Sequence, residues 1–397
     1  MKLDDFCYIN PTEKLERNQL YDFVEMADLI PGNRYVHAKT KEVFNGSYSK
    51  FTNKDVLMAK ITPCLENGKI SQYIGDNKAF GSTEFNIFRA KENISDSDFL
   101  YYLISSDYVK DIAVKSMTGA CGRQRANTDE IKQIEVGNID IKIQQKIAKI
   151  LSNYDDLIEN NNKRIKILEE MAQKIYKEWF VDFKYPGHET ATFKDTELGR
   201  IPSDWEVKTL KDTIDSIKET IKPGEHLKNL RYVPIDCIPR KSFFLTTSES
   251  YKNAQSSLIL FKKSDILFGN MRSYFHKVIL APFDGITRTT CFVLRPKVDN
   301  YRSWAFLTMF QDSTVAYSSR NSKGATIPYS FWEDGLAEMK VIFPSTKIIK
   351  AFNDIINPML ENIQQGYFKQ ENLKQTRDLL LPRLISGEID VENLEIK

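Results

Sequence analysis

The sequence predicts an α+β protein: two duplicated mixed domains separated by long helices that pack as an antiparallel coiled coil. Three features predict this. Segments repeat collinearly at a spacing of about 205 residues, and short β-favouring runs bounded by Gly and Pro fill the first part of each copy. In the second part an apolar 3-4 spacing holds over about 35 residues.

The repeat rests on matched segments. Leu3-Asp4-Asp5 aligns with Leu210-Lys211-Asp212, and Phe23-Val24-Glu25-Met26 aligns with Tyr232-Val233-Pro234-Ile235. Phe51-Thr52-Asn53-Lys54-Asp55-Val56-Leu57 matches Phe261-Lys262-Lys263-Ser264-Asp265-Ile266-Leu267. Gly119-Ala120 meets Gly324-Ala325, and Glu159-Asn160 meets Glu361-Asn362. A period this long means domain duplication and not a solenoid, whose repeats are about 20–50 residues.

Residues 1–142 make the first mixed domain and 200–345 the second. Within them, 55–61, 85–89, 265–271 and 292–295 read as strands, whereas 98–114 and 302–317 read as helices. Without regular β-α-β alternation, α+β is favoured over a doubly wound sheet. Residues 143–184 carry the first seam, through Ile147, Leu151, Tyr154, Ile158, Asn161, Ile165, Leu168, Ala172, Ile175 and Trp179. Asn161 falls on a seam position, where a buried amide sets coiled-coil register. Residues 185–199 form a polar linker containing Pro and Gly. The second seam, 346–390, is rougher: Pro358 and Gly366 predict a kink or break, and Pro382 predicts the helix end. A short tail, 391–397, follows. Antiparallel packing of helices ~50–60 Å long would hold the two domains at opposite ends, as a ruler. The apolar ends Trp179-Phe180-Val181 and Leu379-Leu380-Leu381 are expected to stay exposed and to favour association with partners.

Composition narrows the class. The chain of 397 residues has 56 Lys+Arg against 54 Asp+Glu, so a chain-wide polycation is excluded and any nucleic-acid surface is local. The charge is uneven: residues 1–142 hold 19 basic and 21 acidic residues, whereas residues 200–345 hold 21 and 15. Hydrophobic content of 41% excludes wholesale disorder. No apolar run reaches the ~18–20 residues that span a bilayer, and Met1-Lys2-Leu3-Asp4-Asp5 does not open a signal peptide. No membrane association and a cytoplasmic location are expected. The five cysteines, at 7, 64, 121, 237 and 291, include no C-x-x-C pair, and His37, His188, His226 and His276 are isolated. Neither a disulfide framework nor a metal site is expected.

Motifs for catalysis are not found. Glu130-Ile131-Lys132, Glu206-Val207-Lys208 and Glu395-Ile396-Lys397 fit the nuclease tripeptide Glu-x-Lys, but none follows a Pro-Asp pair. Asn357-Pro358-Met359-Leu360 lacks the second Pro and the aromatic residue of an adenine-methyltransferase loop and falls in a heptad helix. Nothing matches a P-loop. The expectation is a non-catalytic chain that binds no cofactor itself.

Residues suited to contact a duplex are present. Lys115 precedes Gly119-Ala120-Cys121-Gly122, which is followed by Arg123, Gln124, Arg125 and Asn127. Arg and Lys can pair with guanine O6/N7, Asn and Gln can pair with adenine, and glycines permit close approach. The second copy offers Arg320, Asn321 and Lys323 before Gly324. Either loop alone reads as a solvated turn; the same character in both copies raises the DNA-binding reading to equal weight. Lys60, and Asn270 with Arg272, follow the matched strands and form a weaker candidate pair.

The chain is also similar to a known family. Ile201-Pro202-Ser203-Asp204-Trp205-Glu206 through Leu210 resembles the opening of a target recognition domain. Lys146-Ile147-Ala148-Lys149-Ile150-Leu151, Leu168-Glu169-Glu170-Met171-Ala172 and Lys177-Glu178-Trp179-Phe180-Val181-Asp182-Phe183 resemble the central spacer helix of the specificity (S) subunit of type I restriction-modification systems. Leu379 to Ile389, with Pro382 and Gly387-Glu388, resembles the end of that family's second spacer helix. The first copy lacks the Ile-Pro-x-x-Trp opening, which leaves the closure of that domain's edge unexplained. The resemblance implies a non-catalytic subunit reading a bipartite asymmetric site on double-stranded DNA. It implies two methyltransferase subunits using S-adenosylmethionine, and restriction subunits using ATP and Mg2+. Two alternatives stay open: an S-like subunit of a methylation-only complex, and a coiled-coil scaffold that binds proteins.

Overall fold

The computed structural model describes residues 1–394 except Cys121, Phe244, Thr246 and Ala325. Cys121 and Ala325 of the glycine loops, and the tripeptide Glu395-Ile396-Lys397, therefore lie outside the described residues. The chain divides into two compact units, Met1–Asn160 with Gln370–Lys397, and Asn161–Lys369.

The first unit holds two sheets. One runs in the order Cys7–Ile9, Phe85–Ala90, Val56–Ala59, Ile70–Tyr73, Tyr35–Val36, antiparallel except for the last pairing. The other runs Thr40–Val43, Leu20–Val24, Ala79–Gly81, Ser49–Phe51. All four residues of Val56–Ala59 are buried, which explains an apolar run without alternation. Phe6, Met58, Phe88, Phe99 and Tyr102 pack in one cluster with Ile147, Leu151 and Leu384 of the long helices. Each large side chain so buried contributes ~1.5–3 kcal/mol.

The second unit repeats this plan. Its sheets run Ile214–Ile217, Cys291–Pro296, Ile266–Gly269, Val278–Leu280, and Thr220–Ile221, Leu258–Phe261, Gly285–Arg288, Arg231–Tyr232, Glu249–Ser250. The matched heptapeptides share one physical cause. Asp55 accepts from the Thr52 N–H at 2.8 Å and from Arg89 Nε and Nη2 at 2.8 and 2.7 Å. Asp265 accepts from the Lys262 N–H at 2.7 Å and from Arg295 at 2.6 and 2.7 Å. Lys54 and Ser264, just before the aspartates, both adopt left-handed backbone at φ 69° and 71°. Each heptapeptide is a turn that starts a buried strand and fixes it with a forked ion pair.

The edge of the first domain closes without the Ile-Pro-x-x-Trp segment. The Leu3 N–H donates to Ile134 O at 2.8 Å, and the backbone of Lys2 forms an isolated antiparallel β-bridge with that of Glu135. In the second domain Glu206–Thr209 pairs with Lys340–Phe343, and the Leu210 N–H donates to Met339 O at 2.9 Å.

The long helices span Ile141–Phe180 and Thr346–Ile385 and are antiparallel within each unit. In the first unit Asp155 meets Arg377, while Lys146 Nζ donates to Glu392 O at 2.6 Å. In the second, Asn161 Nδ2 donates to Gly366 O at 3.1 Å, and the Phe180 and Phe352 rings lie 4.7 Å apart.

Four expectations are corrected. The second helix does not break at Pro358 or Gly366 and does not end before Pro382: it is one helix from Thr346 to Ile385. At Gly366 a Cβ would stand 2.7 Å from Ile165 Cδ1, so glycine seats Ile165 while burial of Ile356, Leu360 and Ile363 holds the helix. The helices expected at 98–114 and 302–317 are each a pair, Ser97–Ser105 with Asp107–Lys115 and Arg302–Phe310 with Asp312–Arg320. Extended Ser106 (ψ 148°) and Gln311 (ψ 141°) break them at the same place. The 185–199 linker is folded: Phe193–Thr196 pairs with Gly199–Pro202, and Tyr185 is buried with its ring 5.0 Å from Trp205. Trp205 also meets Phe180 and Phe183, at 5.7 and 5.6 Å. Aromatic packing thus overrides the polar composition. The same cluster buries Trp179 and Phe180, whereas Val181 and Leu379 remain exposed.

Candidate nucleic-acid interface

In the first domain the buried strand Val56–Ala59 delivers the chain to Lys60, whose N–H donates to Glu84 O at 2.9 Å. Lys60 O accepts from the Ala126 N–H at 2.8 Å, and the Thr62 N–H donates to Gln124 O at 3.0 Å. Thr118 and Arg125 exchange two backbone bonds, at 3.0 and 2.9 Å. These bonds close a protruding loop that begins at Gly119, whose φ of +127° favours glycine.

The second domain repeats the frame bond for bond. The Asn270 N–H donates to Thr290 O at 3.0 Å, and Asn270 O accepts from the Ser330 N–H at 2.9 Å. The Arg272 N–H donates to Pro328 O at 2.8 Å, and Lys323 exchanges two bonds with Tyr329 at 2.9 and 2.8 Å. Gly324 has φ +112°, and a Cβ there would stand 2.7 Å from Ile327 O. Lys60 therefore corresponds to Asn270, Thr62 to Arg272, Glu84 to Thr290, and Arg125 to Tyr329.

The candidate residues separate by what their side chains do. Lys115, at the end of helix Asp107–Lys115, is exposed, as are Arg123, Arg125, Arg320, Asn321 and Lys323; Lys60, Gln124 and Arg272 are half-buried. Arg125 forks onto Glu84, with Nε and Nη2 at 2.9 and 2.6 Å, which holds the Glu84 carboxyl below the usual carboxylate range. Lys323 Nζ lies 5.5 Å over the Phe331 ring. Three amides build structure instead. Asn127 caps helix Thr128–Lys132 by accepting from the Asp129 N–H at 3.0 Å. Asn270 is buried and donates to Thr289 O at 2.9 Å, and Asn321 donates back to Tyr317 O at 2.9 Å. Such amides are less available to a base than the exposed cations.

Sequence reasoning missed Glu84, Tyr329 and Phe331. Extending the Gly119/Gly324 match a few residues would have set Arg125 beside the Tyr329 region, and the exposed Tyr329 and Phe331 were the available signal. Among the described residues, no three His, Cys, Asp or Glu side chains are grouped to hold a metal, and no helix is long and apolar enough to cross a membrane. Burial pushes the Cys7 and Cys291 thiols up to about 12, unlike a reactive thiol.

Two mixed domains with matched protruding loops, joined to long antiparallel helices, define a class of duplicated recognition protein. The type I restriction modification DNA specificity domain matches residues 1–170 and 202–367, and the chain belongs to this family as a DNA-recognition subunit of type I restriction-modification. It is 30% identical to the type I restriction enzyme MjaIX specificity subunit of Methanocaldococcus jannaschii, over 75% of this chain and 70% of that protein. It is 24% identical to the HindI specificity subunit of Haemophilus influenzae, over 92% and 94%. The crystal structure of the type I restriction-modification S subunit from M. genitalium shares the fold, with a TM-score of 0.54 at 15% identity, covering 97% of this chain and 95% of that one.

Proposed function

We propose that each mixed domain reads one half of a bipartite asymmetric site on double-stranded DNA, and that the chain itself catalyses nothing. One observation carries this reading: the same hydrogen-bonded frame in both domains presents different side chains, Arg125 paired with Glu84 in one and the exposed Tyr329 in the other. A shared frame with distinct heads suits two different half-sites on similar groove geometry. The acting partners are two methyltransferase subunits, which use S-adenosylmethionine on adenine, and restriction subunits, which use ATP and Mg2+; the assembly is cytoplasmic. The more basic composition of residues 200–345 supports a contribution to affinity from the second domain. The test is reconstitution. The chain co-expressed with methyltransferase subunits should methylate a plasmid at a two-part motif, whereas either component alone should leave it unmodified. Methylation by the methyltransferase subunits alone at the same motif would refute the reading.

A further inference from the structure

The second domain contains a cavity beside the base of its loop. It encloses about 340 Å³ between the segments 235–240 and 271–277 and includes Arg240, Arg272 and Phe275 in its lining. The Arg240 guanidinium lies 3.8 Å over the Phe275 ring, which in turn meets the exposed Tyr274 ring at 4.7 Å. Among the described residues neither Arg240 nor Arg272 pairs with an acid. Asp236, the acid on the rim, is directed instead toward Lys277, at 4.0 Å. The Lys277 ammonium is already held by Ile235 O at 2.7 Å, as Lys69 is by Met26 O at 2.7 Å in the first domain. That lysine is therefore common scaffold, and the two arginines are the addition. Thr62 stands where the second domain has Arg272, and the residue as far past Met26 as Arg240 is past Ile235 is Pro31.

The backbone here is also unusual. Arg272 and His276, flanking the single turn Ser273–Phe275, are both left-handed at φ 50° and 52° without being glycine. Such conformations persist where the surrounding structure enforces them, and they cluster at functional sites. The Arg272 N–H, bonded to Pro328 O, ties the cavity to the base of the protruding loop.

We propose that Arg240 and Arg272 form a site for a backbone phosphate of duplex DNA beside the half-site read by the second domain. Two guanidinium forks without acidic partners offer donors only, as a phosphate requires, and the Phe275 ring fixes one of them in place. This proposal rests on the DNA-reading role given to the loops above.

The experiment uses the full chain assembled with its methyltransferase subunits and two 40-bp duplexes, one of arbitrary sequence and one carrying the methylated motif. Fluorescence anisotropy across a salt series gives affinity and salt slope. Arg240→Ala alone, and Arg240→Ala with Arg272→Asn, should weaken binding to both duplexes by the same factor, about tenfold in the double variant. The slope of log affinity against log salt should fall by about 1 per lost contact, and the ranking of single-base variants should not change. Unchanged affinity and slope would overturn the site. Relaxation at one base position would show base reading and overturn the phosphate assignment. Asn tolerates the left-handed conformation at 272, and exposed Arg240 decides the matter alone if the double variant misfolds. A wild-type complex that fails to discriminate between the duplexes would reject the loop reading itself, a separate outcome.

Discussion

Asp155 on the first long helix and Arg377 on the second form a buried ion pair, 222 residues apart in sequence. The Asp155 carboxylate also accepts from the Tyr102 hydroxyl of the first mixed domain, and Arg377 donates to Gly32 O at 3.0 Å. Tyr102 in turn accepts from Arg34 at 3.0 Å. One chain of polar contacts thus ties the recognition domain to both helices of its unit.

Removing one member of that pair should be severe, because Asp155 without Arg377 would be a buried carboxylate left with the Tyr102 hydroxyl, and Arg377 without Asp155 would keep the more exposed Asp378, at 2.9 Å. Arg377→Ala or Asp155→Ala should lower stability by about 3–5 kcal/mol in chemical denaturation. Arg377→Met with Asp155→Leu should cost less than the two single changes added together. Additive losses would mean that the two residues do not act as a pair.

The Gly366 contact predicts a steric coupling. Gly366→Leu should destabilise by about 1–3 kcal/mol through overpacking against Ile165, although leucine is the better helix former. Combination with Ile165→Ala should recover part of that loss. A neutral or stabilising Gly366→Leu would show that the helices are not close at this point.

His276 predicts a pH effect. Burial pushes its imidazole pKa below the ordinary value, with Asp312 at 3.0 Å and Lys241 nearby acting in opposite senses. A lowered folded pKa means that the unfolded chain binds the proton more readily. The stability His276 contributes is therefore full above about pH 6.5 and declines as pH falls below it. Between pH 7.5 and 5.5 the wild-type chain should lose more stability than His276→Asn, in which asparagine accepts the left-handed backbone. Parallel losses in the two proteins would assign the pH dependence to other groups.

The protruding loops predict a separation of roles. Arg123→Ala and Arg125→Ala should affect one half-site, and Arg320→Ala and Lys323→Ala the other. A base contact should cost ~1–3 kcal/mol and relax one position, whereas a phosphate contact should weaken all sequences evenly. Competition binding with single-base variants of the motif measures both. Wild-type affinity and specificity in all four variants would exclude these side chains from the interface.

Much of the fold was legible because it rests on patterns short enough to see. The heptapeptides around Asp55 and Asp265 repeat since each builds the same turn, ion pair and buried strand. The seam through Asn161 repeats because each helix buries one stripe. What was not legible depended on contacts distant in sequence. Gly366 looked like a break until Ile165 filled its space, and the polar 185–199 stretch looked loose until Tyr185 met Trp205. At the site, composition alone could not separate amides such as Asn127, spent on capping a helix, from cations left exposed. The equivalence of Arg125 with Tyr329 lies in backbone hydrogen bonds, which no side-chain match reveals.

The central claim, that two copies of one domain read two different half-sites, is tested most directly by methylome sequencing. The chain with its methyltransferase subunits would be expressed in a host without adenine methylation, alongside a variant in which the second-domain loop 323–329 is replaced by residues 118–125. A bipartite motif is predicted for the wild type, and in the variant the second half alone should change while the first half persists. A single contiguous motif, or a change in both halves together, would contradict the account.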